Sequence, residues 1–229
     1  MPDTKFSFAA LKEHLRRYLW VYVVGLAICL FGTSLLWTTT QPRPSNEETV
    51  TIFLADTYSN PEPLSSVARS VQERLAPVEP QIKLVEFQNL QYTEDDYTSS
   101  MVLMTRLAVG EGDAFFASQA AMDALVRSEA LLPLDDAVAE GWLGEYGLEP
   151  CYGTVTDEET GESTTFLAGL KLDSVTALKQ MGAFMNEGAY LCVANNGGNV
   201  DATMKALEFV LADLTEAKNA QAEDTEPAA

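Results

Sequence analysis

Twenty consecutive positions without a charge, 18–37 (YLWVYVVGLAICLFGTSLLW, bounded by Tyr18 and Trp37), constrain this chain more than any other feature. At about 1.5 Å of rise per residue, a helix of that length covers the roughly 30 Å hydrocarbon core of a bilayer. A helix also satisfies its own backbone groups, the condition for immersion in lipid. Trp20, Tyr22 and Trp37 stand near its ends, where amphipathic rings favour the headgroup region. A cleaved leader competes with this reading, because Leu26-Ala27-Ile28-Cys29 resembles a lipoprotein cleavage box. Ile28 is bulky where that box needs a small residue, and the apolar run continues past Cys29 to Trp37. The expectation is an uncleaved single span.

Charge sets its direction. Lys5, Lys12, Arg16 and Arg17 precede the run against Asp3 and Glu13, whereas Arg43 is the first base after it. The positive-inside rule then places positions 1–17 in the cytoplasm and the long C-terminal part outside. That part carries ten of the fourteen Lys and Arg but thirty-two of the thirty-four acids, a net charge near −22. So acidic a surface repels nucleic acid and anionic headgroups, and no nucleic-acid partner is expected.

Beyond the span, positions 38–48 are expected to be a linker stiffened by Pro42 and Pro44. Positions 49–215 are long enough for one domain with its own core, and the acidic stretch 216–229 is expected to be a disordered tail. Within the domain, VTIFLA (50–55), IKLVEF (82–87), DAFFA (113–117) and AYLCVA (189–194) have the pattern of strands. Helical stripes separate them. Leu64, Val67, Val71 and Leu75 form one, Tyr97, Met101, Met104 and Ala108 a second, Met122, Leu125 and Val126 a third. Val200, Met204, Leu207, Leu211 and Leu214 form the last, and 174–181 reads as a short helix. The excursion between the third and fourth strands carries an acidic β-hairpin at 152–157 and 163–167, expected at the periphery. The order βαβαβα, excursion, βα predicts an α/β fold: a mostly parallel three-layer domain after one transmembrane helix.

Residues 105–136 (TRLAVGEGDAFFASQAAMDALVRSEALLPLDD) carry a resemblance to one lobe of bacterial extracytoplasmic solute-binding proteins of the ABC-importer type. The matching features are the Gly110-Glu111-Gly112-Asp113 turn between helix and strand, and the Leu131-Leu132-Pro133-Leu134-Asp135 exit. YLCVANNGGNVDATMKALEFVLADL (190–214) is similar to that family's returning strand, Asn-rich turn and helix. The resemblance implies a periplasmic-binding-protein-like lobe and a ligand-binding, non-catalytic role. The middle of the chain is too short for a second lobe, so a single-lobe, membrane-anchored form is implied.

In open α/β sheets ligands lie beyond the carboxyl ends of the strands. Three loops are expected at that edge. They supply Asp56, Tyr58 and Ser59, then Ser118 and Gln119, then Asn195 and Asn196, together an aromatic face, hydroxyls and amides for a small polar ligand. The same residue types also serve as helix caps and turns. Catalysis has no constellation: the one histidine, His14, precedes the span. Nothing indicates a cofactor or a metal site. Cys151 and Cys192 both fall outside, where a disulfide would persist; the sequence leaves that pairing and two free thiols equally open. Two functions follow as expectations: a membrane-anchored module recognising a small polar solute or a transporter or sensor partner, or a membrane-tethered scaffold without a small ligand.

Overall fold

From Tyr18 to Trp37 the first helix, α1 (Phe8–Thr40), carries no charged side chain on any face. Its stretch Arg16–Trp37 is long and apolar enough to cross a membrane, with a mean hydropathy of 2.2 and no part buried. The computed structural model describes residues 8–40, 44–156, 160–172, 177–184, 188–195 and 198–225. It divides into two compact units, one up to Arg43 and one from Pro44.

The second unit is built on β1 (Thr49–Asp56), α2 (Ser65–Leu75), β2 (Leu84–Gln91), α3 (Tyr97–Ala108), β3 (Ala114–Ala117), α4 (Gln119–Arg127) and α5 (Asp135–Ala139). It continues through β4 (Glu149–Thr156), β5 (Ser163–Lys171), α6 (Ala177–Gln180), β6 (Tyr190–Val193) and α7 (Val200–Thr225). All six strands form one sheet in the order β2-β1-β3-β6-β5-β4. Strands β2, β1 and β3 are parallel, with Ile52 opposite Phe87 on one side and Ala114 on the other. The remaining ladders are antiparallel.

The domain is therefore mixed α/β, and the expectation of a mostly parallel sheet holds only for its first three strands. The fourth predicted strand, β6, runs against β3. A parallel return needs a crossover of a dozen or more residues packed along the sheet. Between β5 and β6, however, the only described helix is α6, four residues long. β5 ends and β6 begins at the same edge of the sheet, with Lys171 opposite Tyr190. The predicted hairpin is also no appendage, since β5 pairs with β6 and, of the hairpin's two strands, β4 alone lies at an edge. Residues 157–159 at its tip lie outside the described residues, as do 174–176 of the predicted 174–181 helix.

Alternation along the strands gives each face its own core. One face sets Val50, Ile52, Leu54 and Phe116 against α2 and against Leu207, Leu211 and Leu214 of α7. The other sets Phe53, Phe115 and Cys192 against Leu103 of α3 and Met122 and Leu125 of α4. Helix α7 continues as helix to Thr225, past its last buried leucine, Leu214, where a tail was expected.

The two motifs behind the family resemblance have structural work here. Asp113 accepts the Thr51 N–H at 2.8 Å, tying the start of β3 to β1. The β5–β6 ladder is confined to Leu170–Leu191 and Lys171–Tyr190, and beyond it the 131–135 segment lies between the two strands. Leu132 donates to Val193 O at 2.9 Å and Leu134 to Leu167 O at 2.9 Å. The Asp135 carboxylate accepts the Leu167 N–H at 2.9 Å.

Candidate functional site

The chain leaves β1 for α2 on one face and β3 for α4 on the other. Their carboxyl ends therefore diverge, and a crevice opens at this switch point. Its volume is about 740 Å³ and its walls include Thr57, Tyr92, Glu94, Ser118, Gln119, Asp123, Lys171 and Tyr190. Each part follows from local structure. Thr57 is the first residue after β1, Tyr92 the first after β2, and Ser118 joins β3 to α4, so three parallel strands deliver their exits to one rim. The antiparallel half closes the far side, because β5 ends and β6 begins there, at Lys171 and Tyr190.

Polar groups on this rim are largely held in place by one another. Ser118 donates its N–H to Ala55 O at 2.8 Å, and its Oγ accepts the Ala121 N–H at 3.4 Å, capping α4. Gln119 Nε2 donates to Asp123 Oδ1 at 2.8 Å. Lys171 Nζ lies 3.9 Å from Glu149 Oε2, opposite it on β4. One ammonium among Glu94, Asp123 and Glu149 gives the rim an acidic balance, which suits neutral or zwitterionic solutes better than anions.

The predicted site residues do not all converge here. Ser118 and Gln119 line the crevice. Asp56 is wholly buried, with Oδ1 accepting the Thr57 N–H at 2.7 Å, so it shapes the loop beneath. Ser59 is buried too, its Oγ 2.9 Å from Leu54 O and 2.7 Å from Asn89 Oδ1. Tyr58 is 59% exposed and outside the lining. Asn195 stands at the opposite edge, because β6 runs downward from the crevice. It borders a second hollow of about 890 Å³ with Arg127 and Phe166. Asn199, just before α7, likewise donates from Nδ2 to Asn46 O and Thr49 O at the start of β1. Asn196 lies outside the described residues. Sequence reasoning missed Tyr92, Lys171 and Tyr190, and only the antiparallel return of β6 brings the last two in.

The Cys151 and Cys192 thiols are free. Cys151 pairs with Gly169 across the β4–β5 ladder, and a Cβ on Gly169 would meet Cys192 Sγ at 2.9 Å. The two cysteines therefore flank Gly169 from either side, two strand spacings or about 9.6 Å apart, beyond the ~4.4–6.8 Å Cα separation of a disulfide. Burial pushes both thiols up, Cys192 far up; Asp123 adds to the rise at Cys151 and Lys171 opposes it. Among the described residues no three His, Cys, Asp or Glu side chains gather as a metal site.

No family model, no curated protein and no solved structure matches this chain.

Proposed function

We propose that this chain is a membrane-anchored, extracytoplasmic binding module of solute-binding-protein type, reduced to one lobe, that holds a small polar solute in the switch-point crevice. Its N-terminus faces the cytoplasm, positions 18–37 span the bilayer of the cell, and the acidic body works outside without catalysing a reaction. The observation that carries this reading is the crevice itself: two tyrosine rings, hydroxyls, an amide and a single lysine converge where three parallel strands end. Because a single lobe cannot close on its ligand, weak or partner-assisted capture is expected.

Thermal unfolding of the full chain in detergent, against a panel of amino acids, sugars and short peptides, tests it. A solute at a hundredfold its dissociation constant should stabilise the body by about 2.7 kcal/mol. Gln119→Ala and Lys171→Gln should each weaken that response, whereas Asn195→Ala should leave it unchanged. A response abolished by Asn195→Ala but kept by both others would move the site to the other edge.

A second reading, a protein-interaction scaffold, has one observation in its favour. The exposed side of α3 is apolar, where the sequence pattern had placed the core.

A further inference from the structure

We propose that the switch-point crevice is one end of a peptide groove, in which an extended peptide with a basic N-terminal end adds to the sheet beside β4. This rests on the reading of the crevice as a ligand site and narrows its solute to a peptide. The groove is continuous. Gln119 and Asp123 wall both the crevice and a hollow of about 250 Å³ between α4 and β4. Arg127 and Thr154 in turn wall both that hollow and the one of about 890 Å³ at the far edge. Gly153 lets helix and strand come this close: a Cβ there would meet Val126 Cγ2 at 2.8 Å and Ala168 Cβ at 3.0 Å.

The main chain of β4 selects the occupant. This strand is an edge of the sheet, so alternate residues turn their N–H and C=O away from β5. Among the described residues none bonds that outer side. Pro150 has no N–H to offer, which leaves 151–156 as the open run. That run, CYGTVT, is uncharged in a body with a net charge near −22, and it lacks the lysine that blunts exposed edges. Groups arrayed at strand spacing are complemented by another strand, and a flanking helix then contacts its alternate side chains. A second copy of this chain is the poorer donor of that strand, because it brings a body of like charge. The opposite edge, β2, carries Glu86, and the hollow beside it shares no wall with the crevice.

Charge sets the polarity. Gln119, Asp123 and Arg127 repeat at i, i+4 and i+8, so α4 turns one stripe along the groove. Helix and strand both run away from the crevice. Gln119 lines it and Glu149 pairs with Lys171 on its rim, whereas Arg127 and Thr156 line the far hollow. The crevice end holds Glu94, Asp123 and Glu149 around Lys171. At the far end the Arg127 side chain makes no ion pair or hydrogen bond among the described residues. A peptide parallel to β4 therefore sets its N-terminal ammonium and a basic side chain among the acids, and its C-terminal carboxylate near Arg127. At about 3.3 Å per residue, about six residues cover the open run.

Affinity selection of a random hexapeptide library with free termini, on the full chain in detergent, tests the proposal. Recovered peptides should carry Lys or Arg at the first or second position. N-methylating alternate peptide bonds of a recovered peptide should cut binding about tenfold in one phase, whose N–H groups face β4, and little in the other. Asp123→Arg should weaken the basic peptides about fivefold and enrich acidic ones instead, with unchanged thermal unfolding showing that the body is intact. No peptide enriched, equal losses in both methylation phases, or an unaltered charge preference in Asp123→Arg would each overturn it. If amino acids or sugars respond to Gln119→Ala and Lys171→Gln while no peptide is enriched, the groove fails and the crevice reading stands. If peptides show the methylation phase but ignore both of those variants, strand addition stands and the crevice reading fails.

Discussion

Gly112→Ala should be far more damaging than Gly110→Ala, although the two glycines flank one residue in one turn. Both have positive φ, +69° at Gly110 and +90° at Gly112, so each alanine incurs a backbone cost of about 1–2 kcal/mol. Lower entropy of the unfolded chain offsets about 0.4–1 kcal/mol of it. At Gly110 nothing stands within 4 Å of the new Cβ, and the net loss should be about 0.5–1 kcal/mol. At Gly112 the Cβ would sit 2.5 Å from Cδ2 and Cε2 of Phe53. That ring is 1% exposed and stacked on Phe115 at 5.7 Å, with Arg106 above it, so it cannot swing clear. Overpacking then adds about 1–3 kcal/mol, for a net loss of about 2–4 kcal/mol. Urea unfolding of the body from Pro44 onward, followed by Trp142, the one tryptophan beyond the span, measures both. Phe53→Leu should recover part of the Gly112→Ala loss and none of the Gly110→Ala loss. Equal losses at the two glycines, or strict additivity of Phe53→Leu with Gly112→Ala, would refute the reasoning.

Three further outcomes are expected. Asp135→Ala leaves the Leu167 N–H without its acceptor and should cost about 1–3 kcal/mol in urea titrations; a neutral result would mean the 131–135 wedge is held otherwise. Asp96 caps α3, and hydrogen bonds from Ser99 and Thr98 hold its carboxyl below the usual aspartate range. Its stabilisation is therefore present above the ordinary aspartate pKa and lost as pH falls through the lower folded value; Asp96→Asn should flatten the acid limb of a stability–pH curve, and an unaltered limb would contradict the cap's role. Cys192, fully buried with its thiol far above the ordinary range, should resist alkylation at pH 8 until urea unfolds the body, and reduction should leave electrophoretic mobility unchanged; fast native alkylation, or a mobility shift on reduction, would contradict the position of Gly169 between the two thiols.

The sequence carried the parts that local physics decides. β1 and β3 are short β-rich apolar runs, α2 has one clean stripe, and Ser118 caps the helix that follows it. Strand direction was not legible, because YLCV reads the same whichever way it pairs; it is decided by where the chain re-enters the sheet after β5, at the edge where β5 ends. The face of α3 was not legible either. Apolar residues stand on both of its sides, and burial fell to the side where Ser99 folds back to Thr93 O at 3.1 Å and Asp96 O at 3.0 Å. Half the candidate site shared the first obstacle: once β6 runs antiparallel, Asn195 goes to the far edge, and Lys171 and Tyr190 take the place expected of it.

Protease protection of intact cells expressing the chain with an N-terminal tag tests the central claim most directly. If positions 18–37 remain as a single span with the body outside, the tag stays protected in the carbonate-resistant membrane fraction and external protease removes the body. A tag degraded from outside, a body shielded until the cells are lysed, or a chain released by carbonate would contradict it.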